Sequence, residues 1–142
     1  PEEFENFTYY GRGPWENYPD RKLSAKVGWY ELPIEEFQTD YARPQDNGNR
    51  CDVRWLTLSS GRHALKVEGS QPLCVRAWDY GEEDLEQVKH HYELPHGQFV
   101  NLNLDLNIHG VGGIDTWGAR TMDKYTLDGN RPYSYSFVLT YE

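Results

Sequence analysis

The chain of 142 residues has little of several features that mark other classes of protein. It has one Met and no apolar run near the roughly 20 residues that a helix needs to cross a bilayer. Basic side chains are outnumbered, 14 against 23 acidic ones, which gives a net charge of −9. Such a charge repels phosphate backbones and anionic lipids, so we predict no nucleic acid and no membrane among its partners.

Cysteine is scarce as well, and Cys51 and Cys74 fit no zinc-binding or redox spacing. A disulfide between them would require an oxidising compartment. Two free thiols fit the tendency of unpaired cysteines to be buried, and we favour that alternative. The chain begins without Met, within strand-like sequence and with no basic-then-apolar leader, so we expect it to be part of a longer protein.

Aromatic residues are abundant at 15% of the chain, with 11 Tyr and 5 Trp. Tyr and Trp combine an apolar face with a polar edge, a combination that suits sugar binding. They are also good strand formers, so the composition alone does not separate carbohydrate binding from ordinary β structure.

Alternation of apolar and polar residues predicts strands along most of the chain. The longest alternation covers residues 98–109, with Leu102 and Leu104 on its apolar face. The last covers residues 133–141, and we expect its apolar face to be buried. Shorter strands are predicted at residues 7–11, 26–31, 51–58, 62–68 and 73–79, with hairpin loops at 59–61 and 69–72.

Helix signals are few. Residues 82–91 begin with acids and end in Lys89, His90 and His91, an order that suits the helix dipole. Residues 33–37 predict one further turn with Pro33 at its first position. Many short strands at regular spacing predict an all-β fold, a β-sandwich with one or two short helices. No repeat or linker interrupts residues 1–142, which we predict to form a single domain.

Three segments are more specific than the rest. Residues 11–21 (GRGPWENYPDR) combine Gly, Pro, acids and Arg, as in an ordered loop that is held by Arg–carboxylate pairs or offers them to a ligand. Residues 44–51 (PQDNGNRC) contain turn chemistry before a strand. Residues 109–118 (HGVGGIDTWG) end the longest strand in a Gly-rich bend and then present Trp117.

In this order, Gly-Pro-x-Glu-Asn-Tyr-Pro-Asp-Arg, Pro-x-x-Asn-Gly-x-Arg-Cys and Gly-x-Gly-Gly-x-Asp-[Ser/Thr]-Trp resemble the C-terminal small-chain domain of family 2 glycoside hydrolase β-galactosidases. The resemblance covers about residues 7–141. It implies the C-terminal part of a galactose-mutarotase-like supersandwich whose remainder lies upstream. It also implies a cytoplasmic or periplasmic bacterial enzyme that hydrolyses terminal β-D-galactosyl residues, with this chain as a non-catalytic part of it.

The resemblance further implies that Trp117 forms an apolar platform for the β-galactoside, beside the upstream catalytic barrel of the same enzyme. Asp115 and His109 are further candidates for substrate binding. Ile114 stands where relatives commonly have an acid, which puts a polar role at that position in question. Residues 16–21 resemble a structural loop near domain contacts. The family's Mg and Na ions are implied for the catalytic barrel, and we predict no cofactor in this chain.

Two other functions also fit. An autonomous carbohydrate-binding module would bind galactosides by itself. A mutarotase-like enzyme needs a His and a carboxylate at a sugar ring oxygen, and His109 is the best placed of the five His for such a role.

We assign no catalytic or metal-binding residue to this chain. A retaining glycosidase needs two carboxyl groups roughly 5–5.5 Å apart, and the resemblance places that pair in the barrel. His90, His91 and His96 lack the helical spacing of a zinc site. Part of a supersandwich should leave a sheet edge or an apolar face uncovered. We therefore expect the chain to pair with itself as a homo-oligomer or with another chain, unless its own strands complete a sandwich.

Overall fold

The computed structural model describes residues 4–97 and 99–142. They form one antiparallel sheet of six strands, β1 (Asn6–Gly13), β2 (Lys26–Pro33), β3 (Arg50–Ser59), β4 (Ala64–Trp78), β5 (Asn101–Asp105) and β6 (Phe137–Tyr141). One short helix, α1 (Glu82–Gln87), and 3-10 turns at Ile34–Phe37, His91–Glu93 and Asp123–Tyr125 complete these elements. The all-β prediction with one or two short helices is confirmed. Within the described residues, no helix is long and apolar enough to span a membrane.

The strands lie in the order β2-β1-β3-β4-β5, and β6 also pairs with β4. β4 has 15 residues and carries two partners along one edge, β6 at Leu65–Gly69 and β5 at Cys74–Trp78. The prediction of two strands at residues 62–68 and 73–79 with a loop between them is wrong. Residues 69–72 stay within β4 as an irregularity, because the N–H of Ser70 bonds to the carbonyl of Ser136 at 3.0 Å.

The core covers one face of the sheet. Phe7 and Tyr9 of β1 lie opposite Leu58 and Leu56 of β3, and all four side chains are buried. The turn Ile34–Phe37, at the position predicted, packs over them with the ring of Phe37 4.3 Å from that of Phe7. Burial of each such side chain contributes about 1.5–3 kcal/mol to stability.

β6 departs from its prediction in two ways: it begins at Phe137 rather than at residue 133, and its apolar face is exposed. The strand pairs Leu139 with Val67 and Tyr141 with Leu65, which places these side chains on the same face as the core. Leu139 is nevertheless 55% exposed and Tyr141 64% exposed. Alternation identifies the side chains that share a face, but it does not show whether another layer covers them. We call the exposed row Phe137, Leu139 and Tyr141 the β6 stripe.

Two further elements are shorter than predicted. β5 covers Asn101–Asp105 rather than residues 98–109, although Leu102 and Leu104 pack against the core as expected; Gln98 lies outside the described residues. α1 ends at Gln87 rather than at residue 91. The reason is Glu93, whose carboxylate accepts the N–H groups of Lys89 and His90 at 2.9 Å each and so holds residues 88–90 outside the helix.

Cys51 and Cys74 lie side by side on β3 and β4. Both are buried and unbonded, with their Sγ atoms 3.8 Å apart, so the prediction of free thiols is confirmed. The contact with the Cys74 thiol, together with burial, raises the pKa of the Cys51 thiol. A thiol with a raised pKa forms little thiolate and is a poor nucleophile.

Asp52, next along β3, has a left-handed backbone with φ of 56°. Its carboxylate bonds to Arg12 at 2.5 Å and to Lys22 at 3.1 Å. Burial alone would raise the pKa of Asp52, but the hydrogen bonds from Arg12 and Lys22 outweigh it and lower that pKa. Asp52 therefore ties β3 to the end of β1 through Arg12 and to the loop between β1 and β2 through Lys22.

Candidate functional site

Residues 11–21, the first of the three specific segments, contact both of the others. Asn17 is completely buried and makes the first junction. Its Oδ1 accepts the N–H of Cys51 at 2.9 Å, and its Nδ2 donates to the carbonyls of Arg12 and Trp15 at 3.1 Å each. The backbone N–H of Asn17 also donates to the carbonyl of Asn49 at 2.7 Å. Asn17 therefore fastens the first segment to the start of β3.

Glu16 adds to this junction through Gly48. Its Oε2 accepts the N–H of Gly48 at 2.8 Å. Gly48 has φ of +75°, and a Cβ there would lie 2.7 Å from the carbonyl oxygen of Phe37. Only glycine fits both the left-handed backbone and this close approach. The backbone conformation and close packing at Gly48 thus explain the glycine of the Asn-Gly pair at residues 47–48.

Arg50 belongs to the same junction and is buried, with 2% of its surface exposed. Its Nη1 donates to the carbonyl of Gly48 at 2.9 Å, and its guanidinium lies 4.3 Å from the centre of the Phe37 ring. Burial lowers the pKa of Arg50. The cation thus stabilises the turn before β3 from within the core and offers little surface to a ligand.

The second junction joins Asp20 and Arg21 to residues 110–118, which we call the tryptophan loop. Asp20 Oδ1 accepts the N–H of Val111 at 3.0 Å, and Oδ2 accepts the N–H of Gly112 at 2.8 Å. Arg21 Nη2 donates to the carbonyl of Gly112. The ends of these bonds are about 90 residues apart in the chain, 91 and 92 for the two Asp20 bonds.

Other residues hold the opposite side of the loop base. The N–H of Gly110 donates to the carbonyl of Tyr125 at 2.9 Å, and Thr121 Oγ1 donates to the carbonyl of Gly110 at 2.9 Å. A Cβ on Gly110 would lie 2.7 Å from the Asp20 carboxyl group. A Cβ at this position would therefore displace the Asp20 carboxyl group from its place at the base of the loop.

At the tip of the loop, Trp117 is 91% exposed. Asp115 Oδ1 accepts the N–H groups of Trp117 at 2.9 Å and of Ala119 at 3.2 Å. Asp115 is therefore a side chain that shapes the tip, and it holds the backbone from which the indole projects. Its predicted contact with substrate stays a prediction, as does that of Trp117.

His109 immediately precedes the loop and is exposed. Its Nδ1 accepts a hydrogen bond from the backbone N–H of Leu127, and the two nitrogen atoms are 3.1 Å apart. Asp115 and Trp117 are thus joined by a hydrogen bond, whereas His109 fastens a neighbouring segment. Substrate binding by His109 also stays a prediction.

Asp20 and Arg21 escaped the sequence-based selection of site residues. The available signal was their position in a segment rich in acids and Arg, which predicts Arg–carboxylate pairs. The bonds instead go to the backbone of a distant loop, and a pattern of side chains does not identify such a partner.

No group of three or more His, Cys, Asp or Glu among residues 4–97 and 99–142 is arranged to hold a metal ion.

Comparison with known proteins identifies the family. A model described as beta galactosidase small chain matches residues 1–139. The chain belongs to the β-galactosidase small-chain family. Its three specific segments, and the junctions between them, therefore lie within the part of the chain that the family model covers.

Individual relatives of this small-chain member are bacterial β-galactosidases. The enzyme of Priestia megaterium is 41% identical over 138 residues, which are 96% of this chain and 13% of the relative. Those of Pseudoalteromonas haloplanktis and Vibrio cholerae are 38% and 40% identical over 133 residues, 94% of this chain and 12% of each relative. The chain thus spans roughly an eighth of the length of these relatives, as a part of a larger enzyme would.

Proposed function

We propose that this chain is the non-catalytic C-terminal part of a β-galactosidase that hydrolyses terminal β-D-galactosyl residues. In this proposal Trp117 supplies an aromatic wall of the sugar site, and the upstream catalytic barrel supplies the two carboxyl groups of the reaction. The Mg and Na ions expected for the enzyme would belong to the barrel.

The observation that carries the proposal is the exposure of Trp117 on a supported backbone. An indole that is 91% exposed gains nothing from the core of this chain. Its backbone is nevertheless held by Asp115 at the tip and by Asp20 at the base. An aromatic face presented in this way suits the apolar face of a sugar ring, because stacking requires a fixed orientation of the ring.

The test is Trp117→Ala in the full-length enzyme. A stacked aromatic ring contributes about 0.5–1.5 kcal/mol beyond the area it buries, so KM should rise by roughly 2- to 12-fold with little change in kcat. Trp29→Ala is the matched control, because Trp29 is 71% exposed but lies on β2. Unchanged KM and kcat for Trp117→Ala across several galactosides would contradict the proposal.

Two alternatives give different results with the chain by itself. An autonomous carbohydrate-binding module would bind galactosides in a calorimetric titration without the barrel. A mutarotase-like enzyme would speed the loss of optical rotation of fresh α-galactose. The proposal expects neither result, since one wall of a site offers few contacts and His109 Nδ1 already accepts the N–H of Leu127.

A further inference from the structure

We propose that Asp20, assisted by Arg21, is a positioning residue for substrate binding, and that it acts by fixing the base of the tryptophan loop so that Trp117 meets the sugar. The proposal rests on the function proposed for Trp117. It gives a role to the Pro-Asp-Arg end of the first segment, which neither the core nor the sugar site otherwise uses.

The hydrogen bonds at Gly112 fix its backbone from both sides. The two oxygens of Asp20 accept the consecutive N–H groups of Val111 and Gly112, at 3.0 and 2.8 Å. Arg21 donates to the carbonyl of the same Gly112. Bonds to ionised groups are stronger than neutral ones, so the peptide planes before and after Gly112 are both held by charge-assisted bonds.

The conformation fixed in this way is one that the backbone would otherwise leave readily. Gly112 and Gly113 have φ of +67° and +73°, two consecutive left-handed residues. Glycine adopts many conformations at similar energy, so these two residues do not set the direction of the loop by themselves. Trp117 follows shortly afterwards, and a change of direction at Gly112 moves its indole.

Asp20 is itself held by the sheet. A turn closes around it, with the N–H of Arg21 donating to the carbonyl of Tyr18 at 2.8 Å. Tyr18 is buried and directly follows Asn17, which bonds to the N–H of Cys51 at the start of β3. A continuous set of short contacts thus runs from β3 through Asp20 to the loop that carries Trp117.

The experiment uses Asp20→Asn in the full-length β-galactosidase. Asn keeps the size of the side chain but removes the charge and one of the two acceptors. KM should rise by about 2- to 10-fold, and no more than in Trp117→Ala, with kcat within about twofold of the parent enzyme. Arg21→Met, which removes the donor to Gly112, should change KM in the same direction.

Asp84→Asn is the matched control. Asp84 Oδ2 accepts the N–H of Gly81 at 2.8 Å at the start of α1, so it is a similar carboxylate–backbone contact outside the tryptophan loop. This variant should leave KM unchanged. An equal rise of KM in both Asp variants would show a general loss of structure and would overturn the proposal.

A double variant separates positioning from a structural effect. Because Asp20 acts through Trp117, Asp20→Asn should change KM by less than about twofold when Trp117 is already Ala. A general structural role predicts the same rise of KM with either residue at position 117. That additive result would overturn the proposal, and so would an unchanged KM in Asp20→Asn with Trp117 present.

Hydrogen exchange distinguishes failure of this proposal from failure of the function proposed for Trp117. Asp20→Asn should speed exchange at the amides of Val111 and Gly112 by about tenfold or more. If exchange is faster in Asp20→Asn but Trp117→Ala does not change KM, the sugar-site function proposed for Trp117 is wrong, although Asp20 does hold the base of the loop. Unchanged exchange, with KM raised only in Trp117→Ala, would overturn the role of Asp20 alone.

Discussion

Replacing the buried Asn17 by Ala should open the junction between residues 11–21 and β3. The substitution removes an acceptor from the N–H of Cys51 and donors from the carbonyls of Arg12 and Trp15. A buried polar group without a partner costs about 1–3 kcal/mol. The carbonyl groups tolerate the loss better than the N–H does, because each carbonyl oxygen has two lone pairs. We therefore expect a local loss of about 3 kcal/mol.

Hydrogen exchange followed by mass spectrometry measures this loss locally. Each 1.4 kcal/mol of opening free energy changes the exchange rate about tenfold, so the amide of Cys51 should exchange roughly 100-fold faster in Asn17→Ala. Asn130→Ala, a change at an exposed Asn, provides the control and should leave the rate unaltered. An unchanged rate for the peptide that contains Cys51 would show that Asn17 does not hold the junction.

Three further changes test other parts of the structure. Gly48→Ala combines backbone strain with a close contact and should lower the free energy of unfolding by about 3 kcal/mol or more. Gly97→Ala should lower it by about 1 kcal/mol, because φ is +85° there but the space around a Cβ is open. Calorimetric unfolding of both variants measures the difference. Asp52→Asn should lower Tm at pH 7, and it should lower Tm by less near pH 3. The pKa of Asp52 is lowered in the folded state, so its ion pairs stabilise the fold above the ordinary pKa of 3.8. That stabilisation is lost as the pH falls through the folded pKa. The chain expressed alone should associate through the β6 stripe, so Leu139→Ser should reduce its sedimentation coefficient. Val138→Ser, on the opposite face of the same strand, should leave the sedimentation coefficient unchanged. A chain that is monomeric without either substitution would contradict this prediction.

Local patterns predicted most strands because their causes are local. Phe7 and Tyr9 alternate with polar residues, and they face the core as alternation requires. The loop predicted between Gly69 and Pro72 was wrong, although these two residue types usually mark a turn. There two strands that are distant in sequence pair with β4, β6 at Leu65–Gly69 before the irregularity and β5 at Cys74–Trp78 after it, and these pairings keep the chain extended.

Alternation patterns do not predict whether another layer covers the apolar face of a strand. The β6 stripe alternates as regularly as a buried strand, and its register places Leu139 on the core side. Whether the stripe is buried depends on which other element packs over it, and the sequence of the strand does not identify that element. The predicted uncovered apolar face of a partial supersandwich is nonetheless present at this stripe, with Leu139 55% exposed.

The candidate site was predicted in part. The Gly-rich bend and the exposed indole of Trp117 followed from the sequence and from the family resemblance. The function of Asp115 at the tip and of Asp20 at the base depends on backbone N–H groups that no side-chain pattern reveals. Long-range contacts between a carboxylate and a backbone amide therefore required the structure.

Photoaffinity labelling identifies the residues of the full-length enzyme that lie against the bound sugar. A β-galactoside that carries a small photoreactive group on its sugar would be bound to the full-length enzyme and irradiated, and the labelled peptides would be identified by mass spectrometry. We predict label on residues 110–119, including Trp117, and loss of that label in the presence of excess unmodified galactoside. Competable label confined to the rest of the enzyme, with none in residues 110–119, would contradict the claim that this chain forms a wall of the sugar site.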